Sequence, residues 1–110
     1  MIFDRFETAV VPFPFSDMPV VKRRPALVLS NRRFNEENGQ AVMAMITTGK
    51  ESGWLSDTLI RDISSAGLVT DCFVRWKVIT LPNSLIIRRL GRLSPIDEGA
   101  CRLRFGIIFS

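Results

Sequence analysis

Residues 6–30 read FETAVVPFPFSDMPVVKRRPALVLS, and this stretch decides the class of fold that we expect. Alternating apolar residues predict an opening strand over residues 6–15, whose two prolines require that its end is an edge or leaves the sheet. A polar and basic loop over residues 16–24 follows. The continuous apolar run over residues 26–30 then predicts a short strand that is buried on both sides.

The rest of the chain continues with short strands and turns. A polar segment over residues 31–39 has room for one helical turn, and residues 64–67 and 81–84 are expected to form turns. Further strands are predicted over residues 41–47, 58–63, 72–78 and 85–93. This order predicts a mainly β fold, a small curled barrel or sheet on which one helix packs.

The predicted helix lies at the C-terminus. Ser94 is a good N-cap, Pro95 suits the first helical position, and the acidic residues Asp97 and Glu98 complement the helix N-terminus. Apolar residues then recur at helical spacing, and we expect them to pack onto the sheet. These residues are Ile96, Ala100, Leu103 and Ile107.

Length and composition predict a soluble globular protein. The chain has 110 residues, of which 46% are hydrophobic and 24% are charged, and this length fits a single domain over residues 1–110. Its longest apolar runs are far too short to cross a bilayer. Acidic residues interrupt the N-terminal apolar segment, which argues against a signal peptide. The expected compartment is therefore the cytoplasm.

The charge of the chain is positive and unevenly distributed. The net charge is +4, and no acidic residue lies between Asp71 and Asp97. Basic residues in that interval could form a positive stripe that attracts phosphate, or a solvated face that keeps the protein in solution. The residues are Arg75, Lys77, Arg88, Arg89 and Arg92.

The sequence contains no histidine and two widely separated cysteines. The missing histidine excludes Ser-His-Asp triads and every zinc site that uses histidine. Cys72 and Cys101 lack CxxC spacing, so we expect them to be reduced residues of the core. The composition thus favours chemistry without a metal or another cofactor.

Six blocks of sequence follow one another in a specific order over nearly the whole chain. They read VVPFPFSD at residues 10–17, KRRPALVLS at 22–30, MITT at 45–48, AGL at 66–68, FVR at 73–75 and RLGRL at 89–93. Together these blocks resemble the MazF/PemK family of type II toxin–antitoxin toxins.

The resemblance implies an SH3-like barrel of short antiparallel strands with a C-terminal helix. It also implies a homodimer that inhibits growth by sequence-selective cleavage of single-stranded RNA, principally mRNA. The partner it implies is an antitoxin whose extended C-terminal segment covers the RNA groove. Cleavage without a metal can use the 2′-hydroxyl of the substrate, which gives a 2′,3′-cyclic phosphate and a 5′-hydroxyl end.

The resemblance assigns catalysis to Arg24, Thr47 and Arg75. A guanidinium suits a phosphate because its fork of N–H groups can bind two oxygens at once. The alternatives are purely structural roles, in which Arg24 pairs with a carboxylate such as Asp17 and Thr47 caps its own turn. The sequence does not separate Thr47 from Thr48 in this role.

Other residues are candidates for binding RNA. Lysine and arginine side chains can follow the phosphates, and an exposed indole can stack on a base. The candidates are Asp17, Lys22, Arg23, Thr48, Trp54 and Lys77. As alternatives, the basic residues are simply solvated and Asp17 forms an Asx-turn.

Lys77 departs from the family pattern, because relatives often carry an acidic residue two positions after the arginine that Arg75 matches. This departure removes a candidate general base. A second hypothesis is therefore a non-catalytic barrel toxin or regulatory protein, which acts by protein contact, as gyrase poisons do, or only by binding nucleic acid.

Overall fold

The computed structural model describes residues 1–13, 22–48 and 53–110. The described residues form a six-stranded antiparallel sheet in the order β4-β5-β3-β2-β1-β6, curled into a half-barrel, together with two α-helices. The elements are β1 (Glu7–Phe13), β2 (Lys22–Val28), α1 (Arg32–Asn38), β3 (Gln40–Thr48), β4 (Thr58–Leu59), β5 (Cys72–Pro82), β6 (Arg88–Arg92) and α2 (Pro95–Ile108). The predicted mainly β fold with a C-terminal helix is confirmed.

The sheet buries a separate apolar cluster on each of its faces, because side chains alternate along every strand. One face carries Leu27, Ala44 and Val74 and is covered by α2, whose Cys101 belongs to the same cluster. We call it the helix-covered face. The opposite face carries the second cluster, which consists of Phe3, Ala9, Val11, Ala26, Val28, Ala41, Met43, Met45 and Leu81.

Several strand boundaries differ from the predicted ones. Residues 22–24, expected in a loop, belong to β2 because they pair with residues 11–13 of β1. The strand predicted over residues 58–63 is limited to Thr58–Leu59. It stops there because the backbone N–H groups of Arg61 and Asp62 both donate to the carboxylate of Asp97 and not to a neighbouring strand.

Each helix begins at a capping side chain, and for α2 this is the Ser94 that the sequence predicts. The first helix is longer than the single turn that was expected over residues 31–39. The side chain of Asn31 accepts a hydrogen bond from the N–H of Phe34 at 2.8 Å, and Gly39 ends α1 in the left-handed region with φ of 63°. Ser94 accepts from the N–H of Asp97 at 3.3 Å at the start of α2. These caps satisfy backbone groups that the first and last helical turns leave without partners.

The face by which α2 packs was predicted wrongly. Ile96, Leu103 and Ile107 are 72%, 69% and 55% exposed, and Ala100 is exposed with them. Asp97 is buried instead, and the atoms of its carboxylate lie 2.9 and 3.0 Å from the two N–H donors of the 61–62 segment. This contact fixes the rotation of α2 about its axis, so the apolar stripe faces outward.

The turn over residues 64–67 crosses β6 with almost no space between the two backbones. A Cβ atom on Gly67, whose φ is 71°, would collide with the carbonyl of Leu90. The N–H of Arg92 donates to the carbonyl of Ser65 at 2.9 Å at the same crossing. The blocks AGL and RLGRL are therefore explained by one close backbone contact.

Two further findings bear on the predictions. Cys72 and Cys101 are both buried and free, as expected. In the described part of the chain, no helix has the length and apolar character that crossing a bilayer requires.

Candidate functional site

The pairing between β2 and β3 ends at a proline. At the end of β2, the N–H of Leu29 donates to the carbonyl of Val42 at 2.8 Å, so odd-numbered residues of β2 direct their N–H groups toward β3. Pro25 occupies such a position and has no N–H. The pairing accordingly stops at Ala26, opposite Met45.

Arg24 and Thr47 lie where this pairing stops. Continuing the same register by two residues puts them opposite one another. Arg24 still pairs with Val11 of β1, and Thr47 still pairs with Phe73 of β5, so each is held by the neighbour on its outer side. Both are partly buried. The alternation of side chains puts the guanidinium and the hydroxyl on the face that α2 does not cover.

The same alternation separates the two threonines. Thr48 is exposed and pairs with Cys72, which belongs to the cluster on the helix-covered face. Thr47 follows Met45 in alternation and shares the opposite face with it. Only Thr47 is therefore on the same face as Arg24.

Arg75 lies two residues beyond Phe73, on the face that carries Thr47. The pairing of β5 with β3 shifts its register between Ala44 and Ile46, opposite the stretch of β5 that contains Arg75. The guanidinium of Arg75 binds the carboxylate of Asp57 through two hydrogen bonds, from Nε at 3.1 Å and from Nη2 at 2.7 Å. The side chains are 17% and 3% exposed. The hydrogen bond to Asp57 raises the pKa of the Arg75 guanidinium above its ordinary value.

The segment that carries Asp57 also carries Trp54. The N–H of Asp57 donates to the carbonyl of Trp54 at 3.1 Å, which closes a turn. The indole of Trp54 is 43% exposed. The indole N–H of Trp76 donates to the Thr58 hydroxyl at 3.0 Å, and this hydroxyl donates to the carbonyl of Ser56. The segment is thus tied to β5 on both faces of the sheet.

The predicted RNA-binding residues do not all share one face. Lys22 is exposed and alternates with Arg24, and Lys77 alternates with Ile79 of the second cluster, so both lie on the site's face. Arg23 alternates to the other face. It borders a groove of about 400 Å³ that Arg24 and Arg88 also line. Asp17 lies outside the described residues.

The basic stripe predicted from the sequence is divided in the structure. Arg75 and Lys77 belong to β5, while the other three basic residues belong to β6, which three strands separate from β5. In β6, Arg89 forms an ion pair with Glu7 at 2.6 Å, and Arg92 lies 3.6 Å from Glu98. The run of charges is therefore not one continuous surface.

The residue that sequence reasoning missed is Asp57. It precedes a two-residue strand and lies 18 positions from Arg75, so nothing local indicates the ion pair. The register of β4 against β5 is the signal that could have indicated this pair. Thr58 pairs with Val74, so the next position along each strand brings Asp57 opposite Arg75. Among the described residues, no three metal-ligating side chains of His, Cys, Asp or Glu come together.

The site therefore has a definite composition. Two guanidinium groups and one hydroxyl lie on one sheet face, near an exposed indole and two lysines. Such a set can bind the phosphates of a single strand and stabilise negative charge that develops on one of them. We call Arg24, Thr47 and Arg75 the site cluster.

Comparisons with known proteins agree with this fold. A family model described as PemK-like, MazF-like toxin of type II toxin-antitoxin system matches residues 4–109. No curated protein matches the chain.

Solved structures show the same architecture at low sequence identity. The chain is similar to the Mycobacterium tuberculosis toxin MazF-mt6, with 21% identity and a TM-score of 0.75 over 94% of this chain and 95% of that one. MazF from Deinococcus radiodurans gives 19% identity and a TM-score of 0.77, over 99% and 97%. An endoribonuclease in complex with its cognate antitoxin, from a mycobacterial species, gives 14% and 0.72, over 96% and 91%.

Proposed function

Because this chain belongs to the family of PemK-like, MazF-like toxins of type II toxin–antitoxin systems, we propose that it is an endoribonuclease that cleaves single-stranded RNA at the site cluster without a metal. Toxins of this family are generally endoribonucleases. The observation that supports the proposal most is the register of β2 against β3. Continued by two residues beyond the Ala26–Met45 pair, this register brings Arg24 opposite Thr47, on the face that also holds Arg75.

The proposed reaction is an internal transfer of the phosphate. The 2′-oxygen of the RNA bonds to phosphorus, and the bond from phosphorus to the 5′-oxygen breaks. The 2′-hydroxyl gives its proton to solvent water and the leaving 5′-oxygen takes one up from solvent, so the reaction consumes no net proton. Arg24 and Arg75 stabilise the charge on the phosphorane oxygens, and Arg24 also donates a hydrogen bond to the leaving oxygen. The Thr47 hydroxyl orients the 2′-hydroxyl or the phosphate.

Lys77 determines which kind of catalysis this mechanism relies on. With lysine in the place where relatives often carry an acid, the proposal relies on electrostatic stabilisation by the two arginines and assigns no carboxylate base on β5. Lys77 and Lys22 are instead proposed to follow the RNA backbone, and Trp54 to stack on an unpaired base. Arg23 and Thr48 lie on the other face of the sheet and are left out of this set.

The partners follow from the family. We propose that the protein acts in the cytoplasm as a homodimer and is neutralised by a cognate antitoxin. In this proposal the extended C-terminal segment of the antitoxin occupies the RNA-binding face. The solved complexes of similar toxins with antitoxins support this part of the proposal.

The proposal is tested by incubating the purified protein with mixed-sequence single-stranded RNA in excess EDTA. We expect discrete fragments with 5′-hydroxyl and 2′,3′-cyclic phosphate ends, because the nucleophile belongs to the substrate. An oligonucleotide with one 2′-deoxy sugar at the cut site is the matched control and should resist cleavage there. RNA that is bound but stays intact would favour the non-catalytic hypothesis over this one.

A further inference from the structure

Asp57 stands out among the residues near the site cluster because its carboxylate is almost completely buried and lies against the guanidinium of Arg75. Its side chain is 3% exposed and binds two N–H groups of Arg75. No residue of β5 or β6 is acidic, since none lies between Asp71 and Asp97. A carboxylate for Arg75 therefore has to come from outside these strands, and the segment before β4 supplies it.

We infer that Asp57 is the positioning residue of the proposed reaction, which holds the guanidinium of Arg75 in the direction that phosphate binding requires. The inference rests on the proposed function. At least two of the five N–H bonds of the guanidinium are engaged by Asp57. Because the guanidinium is planar and rigid, these two bonds set the plane and the direction of the whole group. An arginine with several rotatable bonds thereby acquires one orientation before any RNA arrives.

The backbone around Asp57 is itself fixed, which makes the carboxylate a rigid support. The turn from Trp54 closes on the N–H of Asp57. On the other side, Thr58 accepts from the indole of Trp76 and donates to the carbonyl of Ser56. Side chains that are held in this way by a surrounding shell keep the geometry that catalysis needs. The same contacts hold Trp54 near Arg75.

Stability alone gives a weaker account of this pair. Removing two charges from water costs about as much as their attraction returns, so a buried ion pair adds little net stability. An ion pair that only joined β4 to β5 would also have no effect on a chemical step. The two accounts differ in what Asp57→Asn does to the cleavage rate of folded protein.

The test compares Asp57→Asn with wild type in single-turnover cleavage of a defined RNA. We expect the maximal rate to fall by about 10- to 30-fold with less than about a 3-fold change in the RNA concentration at half-maximal rate. Asp57→Glu restores the charge and should recover part of the rate. The matched control is Asp4→Asn, which removes the acid from an exposed pair with Arg32 and should leave the rate unchanged.

A double-mutant cycle decides whether Asp57 acts through Arg75. In an Arg75→Gln background, Asp57→Asn should add less than about a 2-fold further loss, because the side chain it orients is gone. If the double variant loses rate by the product of the two single-variant losses, the inference is overturned. If Asp57→Asn does not fold by circular dichroism, Asp57→Ser decides, because it removes the carboxylate and keeps a hydroxyl that can accept a hydrogen bond. A wild-type rate in folded Asp57→Ser would overturn the inference.

The outcomes separate this inference from the function on which it rests. A wild-type protein that leaves RNA intact overturns both. A wild-type protein that cleaves while Asp57→Asn cleaves equally fast overturns only the role of Asp57.

Discussion

Asp97 and Asp57 are both buried carboxylates, but they lie on opposite faces of one sheet and bind different kinds of partner. On the helix-covered face, Asp97 accepts from the backbone N–H groups of Arg61 and Asp62 and so joins α2 to the segment after β4. On the other face, Asp57 binds the charged end of Arg75. A carboxylate bound to the backbone fixes two segments, whereas one bound to a side chain sets the direction of that side chain.

Burial by itself therefore does not identify a functional acid in this fold. The group that the carboxylate binds, either backbone N–H groups or a charged side chain, is what distinguishes the two acids. Changes on the helix-covered face should affect the free energy of unfolding and leave RNA cleavage by folded protein unaltered. Changes to Arg24 and Thr47, which lie on the opposite face outside its apolar cluster, should affect cleavage far more than stability.

Asp97→Ala should produce the largest effect. It leaves two partly buried backbone N–H groups without their acceptor, and the loss of an acceptor costs about 1–3 kcal/mol for each group. We expect a loss of at least about 3 kcal/mol in the free energy of unfolding, and a melting temperature lower by on the order of 15 °C. Thermal denaturation measures this. Leu103→Ala on the exposed stripe is the control and should change stability by less than about 0.5 kcal/mol.

Thr47→Val should produce the next largest effect, on the other face. Loss of the hydroxyl should lower the single-turnover cleavage rate by about 100-fold, or about 2.7 kcal/mol of transition-state stabilisation. Thr48→Val removes the same hydroxyl one residue later, from the helix-covered side, and should change the rate by less than about 3-fold. The reverse order of the two variants would refute the separation of the faces.

Cys101 gives a smaller effect, which depends on pH. Burial, and next the charge of Asp97, raise the pKa of the Cys101 thiol from 9.0 to about 12. Well below pH 9 the thiol is protonated in both the folded and the unfolded chain, so it does not lower the free energy of unfolding. Between pH 9 and 12 only the unfolded chain ionises, so the folded state loses up to about 1.4 kcal/mol per pH unit.

Melting curves of wild type and Cys101→Ala between pH 8 and 11 measure this contribution. The wild type should lose more stability than the variant as the pH rises above 9. Parallel curves for the two proteins would show that the thiol does not ionise differently in the folded and unfolded chains.

The sequence predicted the features that depend on neighbouring residues. Ser94 and Pro95 start α2 because capping acts within one turn, and the strands from Gln40 and from Cys72 follow from local β-formers. Arg24 and Thr47 were found by their resemblance to a family, and their facing positions needed the register of three strands.

Features that depend on distant contacts could not be predicted. The rotation of α2 is set by Asp97 against residues 35 and 36 positions earlier, and helical periodicity alone pointed to the wrong face. The ion pair of Asp57 with Arg75 likewise joins the segment before β4 to β5, and only folding brings these two parts of the chain together. Lys22 was expected in a loop because its pairing with β1 is not visible in its own segment.

The most direct test of the account is the cleavage rate of Arg24→Ala in EDTA beside that of Arg33→Ala. Arg33 is a matched control because its side chain is 86% exposed on α1 and forms an ion pair with Glu37, one helical turn away, at 2.8 Å. We predict that Arg24→Ala slows single-turnover cleavage by at least about 100-fold, while Arg33→Ala stays within about 2-fold of wild type. Equal rates for wild type and Arg24→Ala would contradict a site at the end of the β2–β3 pairing.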